Sequence, residues 1–165
     1  MEDDEEEEGV LQKIYTVLKR EFGGKEQNKE LPEGDSEWSM NFDIQKLDED
    51  QRLIYGWASI IEENGNIVVD KQGDIIETQD LVNAAHDYII ESREAHEMHE
   101  GVVKGKTVES IVFTKEVQKA PGIDLNKVGW FICQKIDDDN TWEAVKSGRI
   151  KSFSIGGHGK RIPVK

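Results

Sequence analysis

The sequence contains a single cysteine and three prolines among 165 residues, and it has no long hydrophobic run. One cysteine, Cys133, cannot form an internal disulfide, so we expect a buried thiol of the kind found in proteins of a reducing compartment. No apolar stretch approaches the ~20 residues that a membrane-spanning helix needs, and the acidic start is unlike a signal peptide. We therefore expect a folded domain stabilised by its own core, with no membrane partner.

Positive charge is also scarce, because 21 lysines and arginines face 35 acidic residues and the net charge is −14. The sequence shows no basic stripe, which argues against nucleic acid as a partner. The negative charge is concentrated in residues 1–50, where 17 acids and 6 bases give −11, whereas residues 51–165 carry 18 acids and 15 bases, or −3. This split predicts an acidic appendage on a nearly neutral folded domain.

The predicted appendage is a mostly flexible arm over residues 1–37, followed by a catalytic domain over residues 38–165. Residues 2–8 form an unbroken acidic run that repels itself. Apolar residues at helical spacing predict a short amphipathic helix over residues 10–22, and a polar linker with Gly and Pro follows it. We expect the arm to dock on a partner or to serve as a self-substrate, and its removal to leave the domain folded.

The pattern of the remaining chain predicts an α+β fold with a curled antiparallel or mixed β-barrel and two or more flanking helices. One helix is capped by Thr78 and ends near Arg93, and a second, short helix follows the acidic residues 137–139. Asn64-Gly65 predicts a tight hairpin turn. The predicted strands are 52–61, 66–69, 97–103, 106–115 (joined to the previous one around Lys104-Gly105), 128–136, the strand that carries Ser152 and Ser154, and an edge strand at 161–164.

The stretch from Lys151 to Gly159 combines alternating serines with a run of glycines. Ser152 and Ser154 share one face of an extended strand, and Phe153 and Ile155 share the other. Glycines such as Gly156 and Gly157 leave the backbone open to close approach by another chain. Either hydroxyl has the setting of an acyl-transfer nucleophile, although such strands are also common in purely structural roles.

A serine nucleophile needs a base, and histidine is the usual one at neutral pH. Of the four histidines, His99 precedes the predicted turn at Lys104, which would make Glu109 its cross-strand neighbour with Cβ atoms ~5 Å apart. A carboxylate that orients a histidine follows the logic of a catalytic triad. Glu97 is the second choice for the third member and His158 is the third choice.

A metal site is not expected, and no cofactor is implied. His96 and His99 are three residues apart, so they lie on opposite faces of an extended segment. Their spacing is also one residue short of the HExxH zinc motif, which depends on a helical i, i+4 pair. The remaining histidine, His86, lies beside the apolar face of the predicted helix and is expected at the surface.

From Arg52 onward the sequence resembles the phage prohead serine proteases, the enzymes of procapsid maturation, in the branch described as phage serine proteases. The resemblance covers about two-thirds of the chain. The segments that carry it, in order, are Ile54-Tyr55-Gly56-Trp57-Ala58, Asp70-Lys71-Gln72-Gly73-Asp74, Met98-His99-Glu100, Val108-Glu109-Ser110, Val128-Gly129-Trp130 and Phe153-Ser154-Ile155-Gly156-Gly157.

The resemblance implies a serine endopeptidase with Ser154 as nucleophile and His99 as base, in a fold similar to the herpesvirus assemblin proteases. It implies action on the phage scaffold and major capsid protein, inside the assembling procapsid in the host cytoplasm, and is compatible with self-cleavage and a homo-oligomer. The herpesvirus enzymes use a second histidine that follows the serine. Here the histidine after Ser154 is His158, and four residues of extended strand carry it away from Ser154. Glu109 therefore stays the first choice for the third member.

Two other hypotheses belong to different functional classes. The first is a catalytically inactive protease fold that serves as an assembly or interaction module. The second is a metal-dependent hydrolase built on His96, His99 and nearby acids, whose activity would be sensitive to chelators. Labelling by a fluorophosphonate probe distinguishes the serine protease from both.

Overall fold

The structure, a computed structural model, describes residues 12–16, 35–70, 73–96 and 102–163. For residues 12–16 and 35–40 and for five positions of the last strand it describes the backbone only; those five are Ser154, Gly157, His158, Arg161 and Pro163. The strands are β1 (Gln12–Thr16), β2 (Asp35–Asp48), β3 (Leu53–Glu63), β4 (Asn66–Ile67), β5 (Asp74–Ile76), β6 (Glu94–His96), β7 (Val103–Phe113), β8 (Lys127–Ile136) and β9 (Ser152–Pro163); the helices are α1 (Thr78–Glu91), α2 (Lys115–Lys119) and α3 (Asp139–Lys146).

The nine strands form one sheet in the order β5-β1-β9-β2-β3-β8-β7-β6, with β4 paired to β3. Every pairing is antiparallel except that of β1 with β5. Helix α1, 14 residues and ~21 Å long, connects the two edge strands β5 and β6 and contacts β1 as well as β7 and β8. The sheet is therefore strongly curled into a half-barrel, which confirms the predicted α+β class.

The central strands β3 and β8 agree with the sequence pattern. Both are apolar on two faces, and their side chains form most of the core together with Leu81 and Ala85 of α1. The predicted Asn64-Gly65 turn joins β3 to β4, and both residues have positive φ, 51° and 78°. Burial of these apolar side chains packs α1 and α3 against the sheet, since Trp142 and Val145 of α3 belong to the same core.

The hairpin predicted around Lys104-Gly105 is wrong. Both residues lie inside β7, and His96 already pairs with Val103, so the chain does not turn at Lys104-Gly105. Position 105 needs a glycine because β7 and β8 approach each other closely there, and not because the chain turns. A Cβ at this position would lie 2.1 Å from the carbonyl oxygen of Lys135 on β8. This register excludes a strand break at 104–105, and residues 97–101 of the predicted strand 97–103 lie outside the described residues.

Two further strands differ from the prediction. The linker predicted up to residue 37 ends earlier, because β2 begins at Asp35. β9 does not stop at its glycines but continues to Pro163, so the separate edge strand predicted at 161–164 is part of β9. β9 is also an interior strand, with β1 on one side and β2 on the other.

The helix predicted over residues 10–22 is wrong for the residues that the structure describes. Gln12–Thr16 form strand β1, which pairs antiparallel with β9 and parallel with β5. Part of the predicted arm thus belongs to the same sheet as the domain that was predicted to begin at residue 38. Residues 1–11 and 17–34, including the acidic run and most of the predicted linker, lie outside the described residues.

Deleting residues 1–16 is expected to lower the melting temperature by several degrees, in contrast to the expectation from the sequence. The deletion removes β1, and within the described part of the chain β1 is the strand that joins β5 to the sheet. Thermal unfolding followed by circular dichroism measures the effect. Deletion of residues 1–11 is the matched control because it keeps β1; equal melting temperatures for the two truncations would contradict the placement of β1.

The structure confirms the predicted helices α1 and α3. The N-cap position of α1 is Glu77, one residue earlier than predicted. Asp138 caps α3: its carboxylate accepts hydrogen bonds from the backbone N–H and the hydroxyl of Thr141, each at 2.8 Å. These bonds, with a smaller contribution from Lys104, lower the pKa of the Asp138 carboxyl in the folded protein. The short helix α2 was not predicted.

Asp138→Ala is expected to lower the melting temperature by a few degrees at pH 7, since an N-cap acceptor is lost. Because the folded-state pKa is lowered, the stabilisation is complete above the ordinary pKa of an aspartate and disappears as the pH falls through the folded-state value. The difference from wild type should therefore shrink between about pH 5 and pH 3. Melting curves over this range measure it, with the exposed neighbour Asp137→Ala as control; a difference that does not change with pH would contradict the assignment.

Candidate active site

The strand that carries Ser154 is anchored by its neighbour Phe153. Phe153 is only 5% exposed and belongs to the core. Its ring lies over Gly56 of β3, where a Cβ would come within 2.7 Å of Cε2 of Phe153. Ile155 packs against the same core. Alternation along β9 places Ser152 and Ser154 on the opposite face, away from the helices, as the sequence predicted.

The pairing with β2 sets the surroundings of the two serines. Asn41 lies opposite Ser154, and Asp43 lies opposite Ser152. The backbone N–H of Ile44 donates to the carbonyl of Lys151 at 2.8 Å, one pair before Asp43 and Ser152. Because hydrogen-bonded and non-hydrogen-bonded pairs alternate in antiparallel strands, Asn41 and Ser154 form a non-hydrogen-bonded pair, the kind in which side chains lie closest.

The same alternation directs the backbone N–H and C=O groups of Ser154 and Gly156 away from β2, toward the other edge of β9. On that edge β1 pairs with β9 only from Gly159 to Pro163. Within the described residues, no strand pairs with this edge at Ser154 or Gly156. The N–H of Gly157, by contrast, is directed toward Trp38 of β2. Of the two glycines that the sequence analysis singled out, Gly156 is therefore the one whose N–H faces this edge, which the described strands leave open.

The structure does not describe the side chain of the predicted base, His99, or those of two of its possible partners, Glu97 and His158. His99 and Glu97 lie outside the described residues, in the connection between His96 and Val103. His158 is described by its backbone, opposite Glu37 of β2. The connection that contains His99 joins β6 to β7 at the end of the sheet where β3 also begins and β2 and β8 end. β9 begins farther along the sheet, with Ser152 opposite Asp43, whereas β2 continues to Asp48.

Glu109 is exposed on β7, opposite Cys133 of β8. In the observed β6–β7 pairing Glu109 is not a cross-strand neighbour of His99. The argument for Glu109 as the third catalytic residue therefore no longer holds. Strands β8, β3 and β2 also lie between β7 and β9, a separation of roughly 19 Å along the sheet at ~4.8 Å per strand. The role of Glu109 stays a prediction that depends on the curl of the sheet.

Two other reactive side chains lie near Glu109, and neither is activated. Burial raises the pKa of the Cys133 thiol, which keeps it protonated and a poor nucleophile. A hydrogen bond with Cys133, followed by burial and nearby carboxylates, raises the pKa of Tyr55 to about 12, so Tyr55 remains a neutral phenol at physiological pH. This part of the sheet offers no competing nucleophile or base.

The other described features do not form an alternative site. Among the described side chains, no group of three or more His, Cys, Asp and Glu residues could hold a metal ion, and no described helix is long and apolar enough to cross a membrane. His96 pairs with Glu94 on the edge strand, with Nε2 and Oε2 3.2 Å apart. A cavity of about 500 Å³ beside α2 is lined by Glu62, Lys115 and Gln118, among others, and contains none of the predicted site residues.

The sequence analysis did not predict that Asn41 and Asp43 lie beside the two serines, because it did not predict β2. The signal was present in the sequence, since Trp38, Met40, Phe42 and Ile44 alternate with polar residues over seven positions. In the structure Phe42 and Ile44 pack against the core, and Asn41 and Asp43 are exposed on the other face. A period of two is the pattern of a half-buried strand, and it places these polar residues on the face of the two serines.

Comparisons with known proteins identify the family. The sequence profile of the family described as "Putative phage serine protease XkdF" matches residues 41–163. Two proteins of Bacillus subtilis (strain 168) are similar: "Uncharacterized protein YqbD", 29% identical over 72% of this chain and 35% of the relative, and "Phage-like element PBSX protein XkdF", 31% identical over 66% of this chain and 38% of the relative. The chain thus spans little more than a third of these curated relatives, and no solved structure matches it significantly. The matched region includes the serine strand β9, the part of β2 that lies opposite the two serines, and the central strands, and it therefore contains the whole candidate site. The chain belongs to the "Putative phage serine protease XkdF" family.

Proposed function

We propose that the chain is a serine endopeptidase in which Ser154 is the nucleophile and His99 the general base. The observation that carries the proposal is the position of Ser154 inside the family match, on a strand that is anchored by Phe153 and has one edge that no described strand covers at Ser154. The oxygen of Ser154 attacks the peptide carbonyl while His99 accepts its proton and later delivers it to the leaving amine. The third member is Glu109, or alternatively Glu97 or His158.

The open edge of β9 suits an extended peptide. A polypeptide that adds to a sheet edge uses its backbone hydrogen bonds for binding and its alternate side chains for selectivity. The N–H of Gly156, two residues beyond Ser154, points away from β2 and would donate to such a chain. Proteolysis is consistent with this geometry, because an unfolded or flexible segment of a substrate can adopt the extended conformation.

The biological setting that we propose is phage procapsid maturation in the host cytoplasm. The family description names a phage serine protease, and one relative is named as part of a phage-like element. The substrates would be segments of the scaffold and the major capsid protein, and self-cleavage and homo-oligomerisation would fit such an assembly role. A fold similar to the herpesvirus assemblin proteases is part of the same proposal and rests on the resemblance of the motifs.

A fluorophosphonate probe tests the proposed activity. The wild-type protein is expected to gain the mass of one phosphonate group, and a digest should locate the group on Ser154. In parallel, intact-mass measurements over several days should reveal any self-cleavage and its preferred site. A folded protein that is neither labelled nor active on any peptide would support the inactive assembly module instead, and activity lost to chelators would support the metal-dependent hydrolase.

A further inference from the structure

Strand β7 has an edge that the described part of the sheet leaves unpaired. On one side β7 pairs with β8 as far as Phe113, and on the other side it pairs with β6, which reaches only to Lys106. The backbone N–H of Thr107 still donates to the carbonyl of Arg93 at 2.8 Å. Over residues 108–113 no described strand covers this edge.

The side chains along this edge are exposed on both faces of the sheet. Residues 108–111 are all exposed, and the apolar Val108 and Ile111 keep 51% and 41% of their surface accessible. Because consecutive residues of a strand point to opposite faces, both faces are accessible here. Proteins usually protect such an edge with lysine, proline or a covering element, but residues 107–114 contain one charged residue, Glu109, and no proline. The edge is therefore suited to pairing with another chain.

The hydrogen-bonding pattern shows which backbone groups this edge offers. The N–H of Ile136 donates to the carbonyl of Arg52, directly before β3, so the even-numbered residues of β8 are directed toward β3 and the odd-numbered ones toward β7. Ser110 lies opposite the even-numbered Ile132, and Val112 lies opposite the next even-numbered residue. Both belong to non-hydrogen-bonded pairs, so their own N–H and C=O groups point away from β8, to the open edge.

We propose that this edge pairs with the same edge of a second copy of the chain, so that two β7 strands join the two sheets antiparallel about a two-fold axis. An interface of this type is self-complementary, because one surface serves both copies. The inference gives the proposed homo-oligomer a defined surface. It does not depend on the protease activity.

The register of the pair follows from the groups that the edge offers. Ser110 and Val112 point outward, so Ser110 of each copy exchanges hydrogen bonds with Val112 of the other. The carbonyl of Val112 also accepts the N–H of Thr114 at 3.0 Å, and its second lone pair serves the new bond. Ile111 then lies opposite its counterpart in the second copy, in a non-hydrogen-bonded pair whose side chains are in contact.

Apolar contact favours this register. Phe131 lies opposite Ile111 on β8, and Phe113 lies two residues along β7, with the two rings edge to face at a centroid distance of 6.4 Å. Pairing through Ile111 joins these apolar patches of the two copies. A register centred on Ser110 would instead set the carboxylate of Glu109 against Ile111 at the centre. In the register through Ile111, Glu109 moves to the outer pairs, where water reaches its carboxylate.

The ends of the strands and their charges also fit this pairing. β7 ends at Phe113, and Thr114 caps α2, so the second copy leaves the edge before it reaches β6 of the first. The exposed Glu116 of each copy then lies near the exposed Lys106 of the other, which adds an opposite charge at both ends. The contact covers only residues 109–113 of each strand, so we expect a weak, concentration-dependent dimer and not an obligate one.

Cross-linking of the full chain tests the register. Ile111→Cys places two thiols in a non-hydrogen-bonded pair, where a Cα separation of ~4.5 Å suits a disulfide, and mild oxidation should yield mostly covalent dimer. Ile90→Cys on α1, at a residue that is 80% exposed, is the matched control and should yield several-fold less. Wild type should yield none, since Cys133 is buried. Equal yields from the two variants, or cross-linking only in a mixture of Glu109→Cys and Ile111→Cys, would overturn the register through Ile111.

Association in solution tests whether the wild-type chain uses this edge. Sedimentation velocity between about 10 and 500 µM should show a monomer–dimer equilibrium. Ile111→Lys, which sets two like charges opposite each other, should weaken it at least about tenfold, and the control Ile90→Lys should leave it within about threefold. Hydrogen exchange at the amides of Ser110 and Val112 should slow as the concentration rises, because these amides are the intermolecular donors.

The outcomes that overturn the proposal are distinct. A wild-type chain that stays monomeric over this range excludes the dimer. A dimer that Ile111→Lys does not weaken, or in which exchange at Ser110 and Val112 does not change with concentration, uses another surface. Melting temperatures equal to wild type would show that the variants are folded. Fluorophosphonate labelling is a separate measurement, so the failure of this inference leaves the proposed protease standing, and the reverse also holds.

Discussion

Ser154→Ala is expected to abolish peptide hydrolysis and fluorophosphonate labelling, with a loss in kcat on the order of 10⁴-fold or more. The physical reason is that the nucleophile forms the covalent bond to the carbonyl carbon, which an alanine side chain cannot do. Rates of hydrolysis of one peptide by the wild-type and variant proteins measure the effect.

Ser152→Ala is the matched control, because Ser152 shares the strand and the face of Ser154 and is exposed. We expect it to retain activity within about tenfold, since its loss removes a neighbour and not the attacking atom. The opposite result, an inactive Ser152→Ala beside an active Ser154→Ala, would show that the nucleophile was assigned to the wrong serine.

The fold was predictable where local sequence signals and burial agree. β3 and β8 carry continuous apolar stretches, Asn64-Gly65 matches the turn that its positive φ angles require, and Asp138 begins a helix with a side-chain cap. In each of these elements the residues that determine the structure are neighbours in the sequence. Propensity and periodicity are therefore sufficient there.

The prediction failed where a distant strand determines the local structure. Gly105 suggests a turn when it is considered alone, but the carbonyl of Lys135 on β8 leaves no room for a Cβ at this position. The glycines of β9 suggest the end of a strand, whereas β2 pairs with them as far as Lys160. Residues 12–16 have a helical apolar spacing, and their pairing with β5 and β9 makes them a strand. Tertiary hydrogen bonding overrides local preference in all three.

The same distinction between local and distant determinants applies to the candidate site. Ser154 and its glycines were predicted from the sequence because they occupy one short segment, and His99 was predicted from its motif; both assignments stay predictions. The partner of His99 could not be found in this way, because its choice depended on a hairpin register that a shift of a few residues invalidates. Asn41 lies 113 positions from Ser154 in the numbering, and only the β2–β9 register places the two residues together.

His99→Gln is expected to reduce kcat by several orders of magnitude, because glutamine cannot accept the serine proton. In the wild-type protein, kcat/KM should rise with pH through a single ionisation, since only the neutral imidazole acts as a base. The ordinary pKa of histidine, ~6.5, sets the reference for its midpoint. A carboxylate beside the imidazole stabilises the charged form, so it raises the pKa and moves the midpoint to higher pH.

The pH profile can therefore identify the third catalytic residue, which the fold leaves open between Glu109, Glu97 and His158. Replacing the true carboxylate partner by glutamine should lower kcat and also shift the midpoint to lower pH, because the imidazolium loses its stabilising charge. The same change at the other glutamate should leave the midpoint where it is, which makes Glu97→Gln and Glu109→Gln controls for each other. If neither shifts the midpoint and His158→Gln lowers kcat, His158 is the third member. A wild-type rate that stays flat from about pH 5 to 9, or an active His99→Gln variant, would remove His99 from the mechanism.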